Sequence, residues 1–336
     1  MDTTTHRVIQ VDCYRIRYLD SSDFLSLSLH IFGCIAAPVH LYGAYCILAK
    51  TPSTMKSMKL PLFNFHFWTC FLDVELSILF IPYIFFPALA GYPLGLLSYF
   101  GIGMAEQIYI MLTNITLATV SIIGIFENRF SIISGPHRYW NILRKPLYFL
   151  NYLAAICCFL PVYIMTPDQK MAMEFLRQFI TCTPPYADES KLFIIAMYTR
   201  YFLIPGASCY LFWFSQIFIF SILTSWLLGK QVARNNMSVK TLEMQKKFQR
   251  ALVSQVVLPV IIFFIPILYI GLSTSMWYHD QIFNNFTFLI LSSHGFFSTI
   301  AMILLHSAYR EFTFGLFCSK FINSEANSSN LVVLTT

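Results

Sequence analysis

The chain has 336 residues, of which 57% are hydrophobic and 11% charged, and its mean hydropathy is +0.63. A soluble domain carries about a quarter charged residues, so this composition excludes a surface facing water and points to a bilayer as the solvent. The 22 Lys and Arg exceed the 16 Asp and Glu, but they are sorted by loop rather than gathered into a patch, which excludes nucleic acid as the reason for the +6 charge.

Residues 1–23 carry Asp2, Asp12, Asp20 and Asp23 and no apolar core, so they read as an exterior segment without a cleavable signal peptide. Runs long enough to span, at 1.5 Å of rise per residue, fall at about 24–48, 60–87, 95–123, 147–166, 192–227, 251–275 and 282–308. Pro87, Gly91, Pro93 and Gly95 divide the second run from the third, since one helix through all four would lose several hydrogen bonds. Residues 309–336 form a short tail with a Ser- and Asn-rich stretch.

The expected fold is therefore all-α, a bundle of seven transmembrane helices. The loops 49–59, 124–146 and 228–250 and the tail hold 15 Lys and Arg with four acids, whereas the opposite set holds six with nine acids. By the positive-inside bias the N-terminus is extracellular and the C-terminus cytoplasmic. Residues 239–250 are able to extend the sixth helix into the cytoplasm, where their basic face meets lipid or a protein partner.

Few polar residues enter the spans, and each needs a reason to be there. Asp73 and Glu75 sit two apart on the second helix, so they do not share a face; they read either as a site coupled to helix rearrangement or as packing polarity. Glu106 near the outer end of the third helix either lines a ligand cavity or accepts a hydrogen bond from a neighbouring Tyr or Ser. Arg200 snorkels at an outer helix end. In Phe126-Glu127-Asn128-Arg129-Phe130 the acid and the arginine either form a local ion pair, holding one state of the bundle, or simply orient the helix end. Pro259 and Pro266 make the sixth helix a candidate for movement or a static kink.

Cys13 and Cys182 are the two cysteines of exterior segments, where a disulfide between them is permitted. Asn285, in an N-x-T match, lies close to the membrane for glycosylation. His66, His294 and His306 fall in separate spans without an H-x-x-x-H or H-E-x-x-H spacing, and no phosphate loop or serine elbow appears, so no enzyme and no cofactor is indicated. A rival reading is a channel or transporter whose polar path is built from Asp73, Glu75 and Glu106.

Several segments together resemble the nematode serpentine chemoreceptors of class H: Thr51-Pro52-Ser53-Thr54-Met55-Lys56, Leu62-Phe63-Asn64-Phe65-His66-Phe67-Trp68, the Phe126–Phe130 run, Ser293-His294-Gly295 with Ser298-Thr299, and Leu305-His306-Ser307-Ala308-Tyr309-Arg310. The resemblance covers nearly the whole chain. It implies a G-protein-coupled receptor in the plasma membrane, in the cilium of a sensory neuron, that binds an odorant or other environmental small molecule. It also implies that Glu127, Asn128 and Arg129, with Tyr309 and Arg310 at the end of the seventh helix, face a heterotrimeric G protein. The chain departs from rhodopsin-like receptors in lacking a cysteine at the top of the third helix and an N-P-x-x-Y sequence in the seventh.

Overall fold

A computed structural model describes residues 17–135, 138–180, 182, 184–197, 200–233 and 239–316. The architecture is an all-α, multi-pass membrane helix bundle in which, among the described residues, six helices are long and apolar enough to cross a bilayer. A 3-10 turn at Tyr18–Asp20 leads to α1 (Ser22–Lys50), whose first turn is capped by the Ser21 hydroxyl accepting from Phe24 N–H. After a 3-10 turn at Ser53–Met58, α2 (Lys59–Val74) widens into a π turn at Glu75–Leu79 and stops there.

The apolar run expected to stay helical to residue 87 instead forms a β-hairpin, β1 (Pro82–Phe85) and β2 (Ala90–Pro93), paired antiparallel from Pro82↔Pro93 to Phe85↔Ala90. Pro82 cannot continue the helical ladder, and Ile81 turns the chain through a left-handed φ of 46°. A short β3 (Phe193–Ile194) adds to β2, so the sheet order is β1-β2-β3. Gly91 is required in this hairpin, because a Cβ there would lie 2.3 Å from the Tyr83 carbonyl oxygen.

Beyond a helical turn, α3 (Leu96–Tyr99), comes α4 (Met104–Ser134), longer at its C-terminal end than the expected 95–123. Its apolar window is 78% buried, against 17–50% for the other five candidate spans, which makes it the central helix. The next span joins α5 (Arg138–Cys157) to α6 (Leu160–Ile164), and α7 (Gln169–Arg177) follows, capped by Asp168. Then come α8 (Arg200–Ala233), α9 (Val239–Met276), α10 (Gln281–Ser292) and α11 (His294–Leu305). Thus α9 takes in residues 239–250, and the last span is broken at Ser293.

The bundle has two ends. The lid end holds the Tyr18–Asp20 turn, the sheet, α7 and the α9–α10 connection; the basic end holds the C-termini of α4 and α8 and the N-terminus of α9. Each end has a large apolar core, one around Leu76, Phe80, Tyr83, Phe85 and Phe288, the other around Leu62, Phe65, Ile125, Phe126, Trp213 and Tyr309, and a smaller cluster of Ala90, Ala172, Leu176 and Ile194 joins the sheet to α7 at the lid.

Candidate functional site

A carboxylate inside an apolar bundle needs donors, and Asp73 has them on two other helices, α1 and α11. His40 Nε2 of α1 lies 3.0 Å from Oδ2 and His294 Nδ1 lies 2.9 Å from Oδ1. The break at Ser293 exposes the first N–H groups of α11, and those of Gly295 and Phe296 donate to Asp73 at 3.2 and 2.8 Å. Asp73 is thereby the cap of α11. Position 295 admits only glycine, since a Cβ would stand 2.6 Å from Asp73 Oδ2 and 2.7 Å from the Thr69 carbonyl. His40 carries no sequence signal of its own, whereas its neighbour His66 belongs to a spacing, His66-x-x-x-Cys70, that places both on one face of α2.

Glu75, two residues on, is equally buried but faces α4, where Asn114 Nδ2 donates to Oε2 at 2.8 Å. Glu75 Oε1 and Asn114 Oδ1 find no hydrogen-bond partner. Glu106 is at the lid end, in the first turn of α4, and accepts from the Tyr163 hydroxyl at 3.1 Å. The three acids therefore sit in separate surroundings.

Two cavities among the described residues lie toward the lid. One of about 40 Å³ is walled by Phe85, Phe86, Leu176, Ile180, Leu192 and His279, and one of about 10 Å³ lies between α4 and α6. Small-molecule sites usually measure about 300–1,000 Å³, so neither of these two cavities has the room for one as it stands. Glu106 lines neither cavity. The lid is laced by side-chain bonds to backbone: His279 Nδ1 to the Phe86 carbonyl at 2.7 Å, Asn285 Nδ2 to the Leu19 carbonyl at 2.8 Å, and Tyr83 to the Asp20 carbonyl. Asn285 is buried and used in this way, which leaves no amide for a glycan. Burial pushes the His279 imidazole below its ordinary value and the Asp20 carboxyl above its own.

At the basic end the local pair expected between Glu127 and Arg129 is absent, because side chains two apart on a helix diverge. Glu127 is fully buried and turned to α5, where it accepts from Trp140 Nε1 at 2.8 Å, Arg144 Nη2 at 3.0 Å and the Tyr148 hydroxyl. Asn128 adds to the cluster, its Oδ1 accepting from Arg144 at 3.3 Å and its Nδ2 donating to the Ser57 carbonyl at 2.9 Å. Arg129 points instead to α9. It donates to the Gln245 carbonyl and side-chain oxygens, stacks over Phe248 at 4.8 Å, and is 4% exposed. Its Nε has no acceptor.

Tyr309, also buried, donates to Thr51 Oγ1 at 2.8 Å, since the Thr51 proton is given to the Ile47 carbonyl. Arg310 is exposed and donates to the Leu304 carbonyl. His306 meets Gln255 of α9 at 2.9 Å. Cys182 is disulfide-bonded, and Cys13, its expected partner, lies outside the described residues. The partners Gln245, Trp140, Arg144 and Tyr148 were beyond sequence reasoning, because nothing in their spacing to Glu127 or Arg129 marks them.

The helix bundle, with a carboxylate buried at its middle, is that of a multi-pass membrane protein. Residues 20–319 match the family model described as serpentine type 7TM GPCR chemoreceptor Srh, and the chain belongs to that family. It is 28% identical over 306 residues to serpentine receptor class H-72 of Caenorhabditis elegans, covering 90% of this chain and 88% of that one. The family is a non-enzymatic class of membrane chemoreceptors in signal transduction.

Proposed function

We propose that the chain crosses the plasma membrane of a sensory neuron seven times, in its cilium, and couples an environmental small molecule at an exterior lid end to a heterotrimeric G protein at a cytoplasmic basic end. The segment 59–79, α2 with its π turn, supplies the seventh crossing. The sorting of Lys and Arg toward the basic end supports the orientation.

The observation that carries this reading is the burial of Arg129 between α4 and α9. A G protein needs a groove at this end, and the arginine and α9 together fill it. Releasing Arg129 from Gln245 costs about 1–3 kcal/mol, the same size as the coupling free energies of about 1–3 kcal/mol through which one site shifts another. A ligand that favours the open arrangement by that amount is therefore sufficient, and no bond in it need break. Glu127, Asn128, Tyr309 and Arg310 hold the rim of the groove, and Glu106 sits where the ligand enters.

The test is G-protein activation in cells expressing the chain, screened against pooled volatile and water-soluble compounds at matched surface expression. Arg129→Ala abolishes the response, and Gln245→Ala raises signalling in the absence of ligand. A response that survives intact in Arg129→Ala removes the arginine from the coupling site.

A further inference from the structure

Beside Asp73 lies a group of side chains that receptor signalling leaves without a task. His40 of α1 and His66 and Cys70 of α2 are brought together so that one ligand atom from each lies within 4.8 Å of the others. His66 and Cys70 are four apart and share a face of α2. Gly43 leaves the room for this, since a Cβ there would stand 2.5 Å from Thr299 Cγ2 and 2.9 Å from His66 Cε1.

The hydrogen bonds assign the ring protons. His40 Nε2 faces a carboxylate oxygen of Asp73 at 3.0 Å, and His66 Nε2 faces the His40 carbonyl at 3.0 Å. Both partners only accept, so both Nε2 atoms carry hydrogen, and in the neutral rings both Nδ1 atoms present lone pairs. These two lone pairs converge on one hydroxyl: Thr299 Oγ1 is 3.2 Å from His40 Nδ1 and 3.5 Å from His66 Nδ1. That hydroxyl also lies 2.8 Å from the Gly295 carbonyl. Three acceptors thus share two hydrogens, that of Thr299 and that of the Cys70 thiol, whose Sγ lies 3.8 Å from His66 Nδ1, inside a bundle where His40 and His66 are buried.

A cation between the two rings resolves the excess. Imidazoles that bind a metal usually give their other N–H to a carboxylate or carbonyl, which orients the ring, and that is the arrangement of His40 with Asp73 and of His66 with the His40 carbonyl. Cys70 Sγ stands 3.8 Å from His66 Nδ1 and 3.4 Å from Nε2. In a tetrahedral site with Zn–N of about 2.1 Å and Zn–S of about 2.3 Å, ligand atoms are about 3.4–3.6 Å apart, so the closure needed is a side-chain adjustment.

We propose that His40 Nδ1, His66 Nδ1 and Cys70 Sγ bind a thiophilic d10 metal ion, Zn(II), with Asp73 holding His40 from behind. Two imidazoles and a thiolate suit that class of ion better than the oxygen-seeking cations. Binding displaces the Cys70 thiol proton to solvent, and the thiolate and the Asp73 carboxylate, which faces N–H donors at both oxygens, together neutralise the charge of Zn(II). The ion fastens α1 to α2 directly against Thr299 of α11.

The experiment uses the purified full-length protein, stripped of metal and titrated with Zn(II), and with Co(II) as the visible probe. The expected result is one ion per chain, a thiolate-to-Co(II) charge-transfer band, and a rise in melting temperature. Cys70→Ser and His66→Gln weaken binding tenfold or more, and Asp73→Asn weakens it about 10–100-fold. Cys70→His keeps the ion and loses the thiolate band, and Cys209→Ser changes nothing. Melting in chelator shows that each variant folds. A Co(II) spectrum without the thiolate band, or an affinity unchanged in Cys70→Ser, overturns the proposal. So does a protein that takes up no zinc.

Discussion

The two ends of the bundle are closed by different means. At the lid end closure is by apolar packing and backbone pairing: the β1–β2 hairpin is buried on both faces, and it is held by bonds from side chains to carbonyl groups that have no freedom to turn away. Ile81, Leu89 and Trp277 all adopt left-handed φ values there, at 46°, 46° and 56°, a conformation that costs a non-glycine residue about 1–3 kcal/mol and persists only where surroundings enforce it. At the basic end closure rests on a few charged side chains, Glu127 on α5 and Arg129 on α9. Packing over a large area yields as a unit, while a hydrogen-bonded clasp opens one contact at a time. Under the function proposed above, the clasps are the part of the bundle that switches.

The largest effect is expected at Glu127, which separates the two charged contacts of the basic end. Glu127→Ala removes the shared acceptor of Trp140, Arg144 and Tyr148, and we expect a loss of about 3 kcal/mol in stability, the range for breaking a buried pair. Thermal melting in detergent measures it. Arg144→Ala, which leaves Trp140 and Tyr148 in place, should cost less because Arg144 is partly exposed. Equal losses in the two variants would mean that the ion pair, and not the buried acceptor, holds α5 to α4.

At the lid, Gly91→Ala puts a Cβ 2.3 Å from a backbone oxygen and 2.9 Å from Ile84 Cα. Backbone atoms have no rotamer to give, so β1 must part from β2, at an overpacking cost of about 1–3 kcal/mol. Hydrogen exchange at residues 82–93 should rise while the amides of α4 stay protected. Faster exchange throughout α4 as well would show that lid and bundle open together and would erase the division between the two ends.

Much of the helical layout was legible from apolar run lengths, because lipid permits few alternatives to a helix. The hairpin was not. Its strands are buried on both faces, so the alternation that marks a strand is missing, and Tyr83 through Phe86 read the same as the helix before them. That Asp73 turns inward followed from the cost of burying charge; its partners did not, because His40 and His294 come from helices distant in sequence, and a histidine in a span carries no mark of its neighbour. For Arg129 the position was legible and the partner was not. A local pair with Glu127 was one reading of the sequence and is overturned because side chains two apart on a helix diverge, and choosing Gln245 requires knowing that α9 extends to Val239 and crosses α4.

The smallest effect expected is one of pH, and it belongs to the lid alone. His279 Nδ1 donates to the Phe86 carbonyl, and its Nε2 meets the Tyr186 hydroxyl at 3.1 Å, so the folded lid is built for the neutral ring. Burial holds its pKa below the ordinary 6.5. Between the folded and unfolded values the unfolded chain binds more protons, so stability rises with pH across that window. The contribution is complete above about pH 6.5 and is lost as the pH falls through the folded value, by at most about 1.4 kcal/mol per pH unit. Asp20, with its carboxyl raised by burial, acts in the opposite sense at lower pH, stabilising as it takes up its proton. Protection factors at residues 82–93, which are corrected for the intrinsic slowing of amide exchange at lower pH, should therefore fall between pH 7.5 and 5.5, and His279→Gln should flatten that dependence while leaving Arg129 and the basic end unaffected. A pH response of opposite sign that emerges in His279→Gln would come from Asp20, and one of unchanged sign and size would remove His279 as its source.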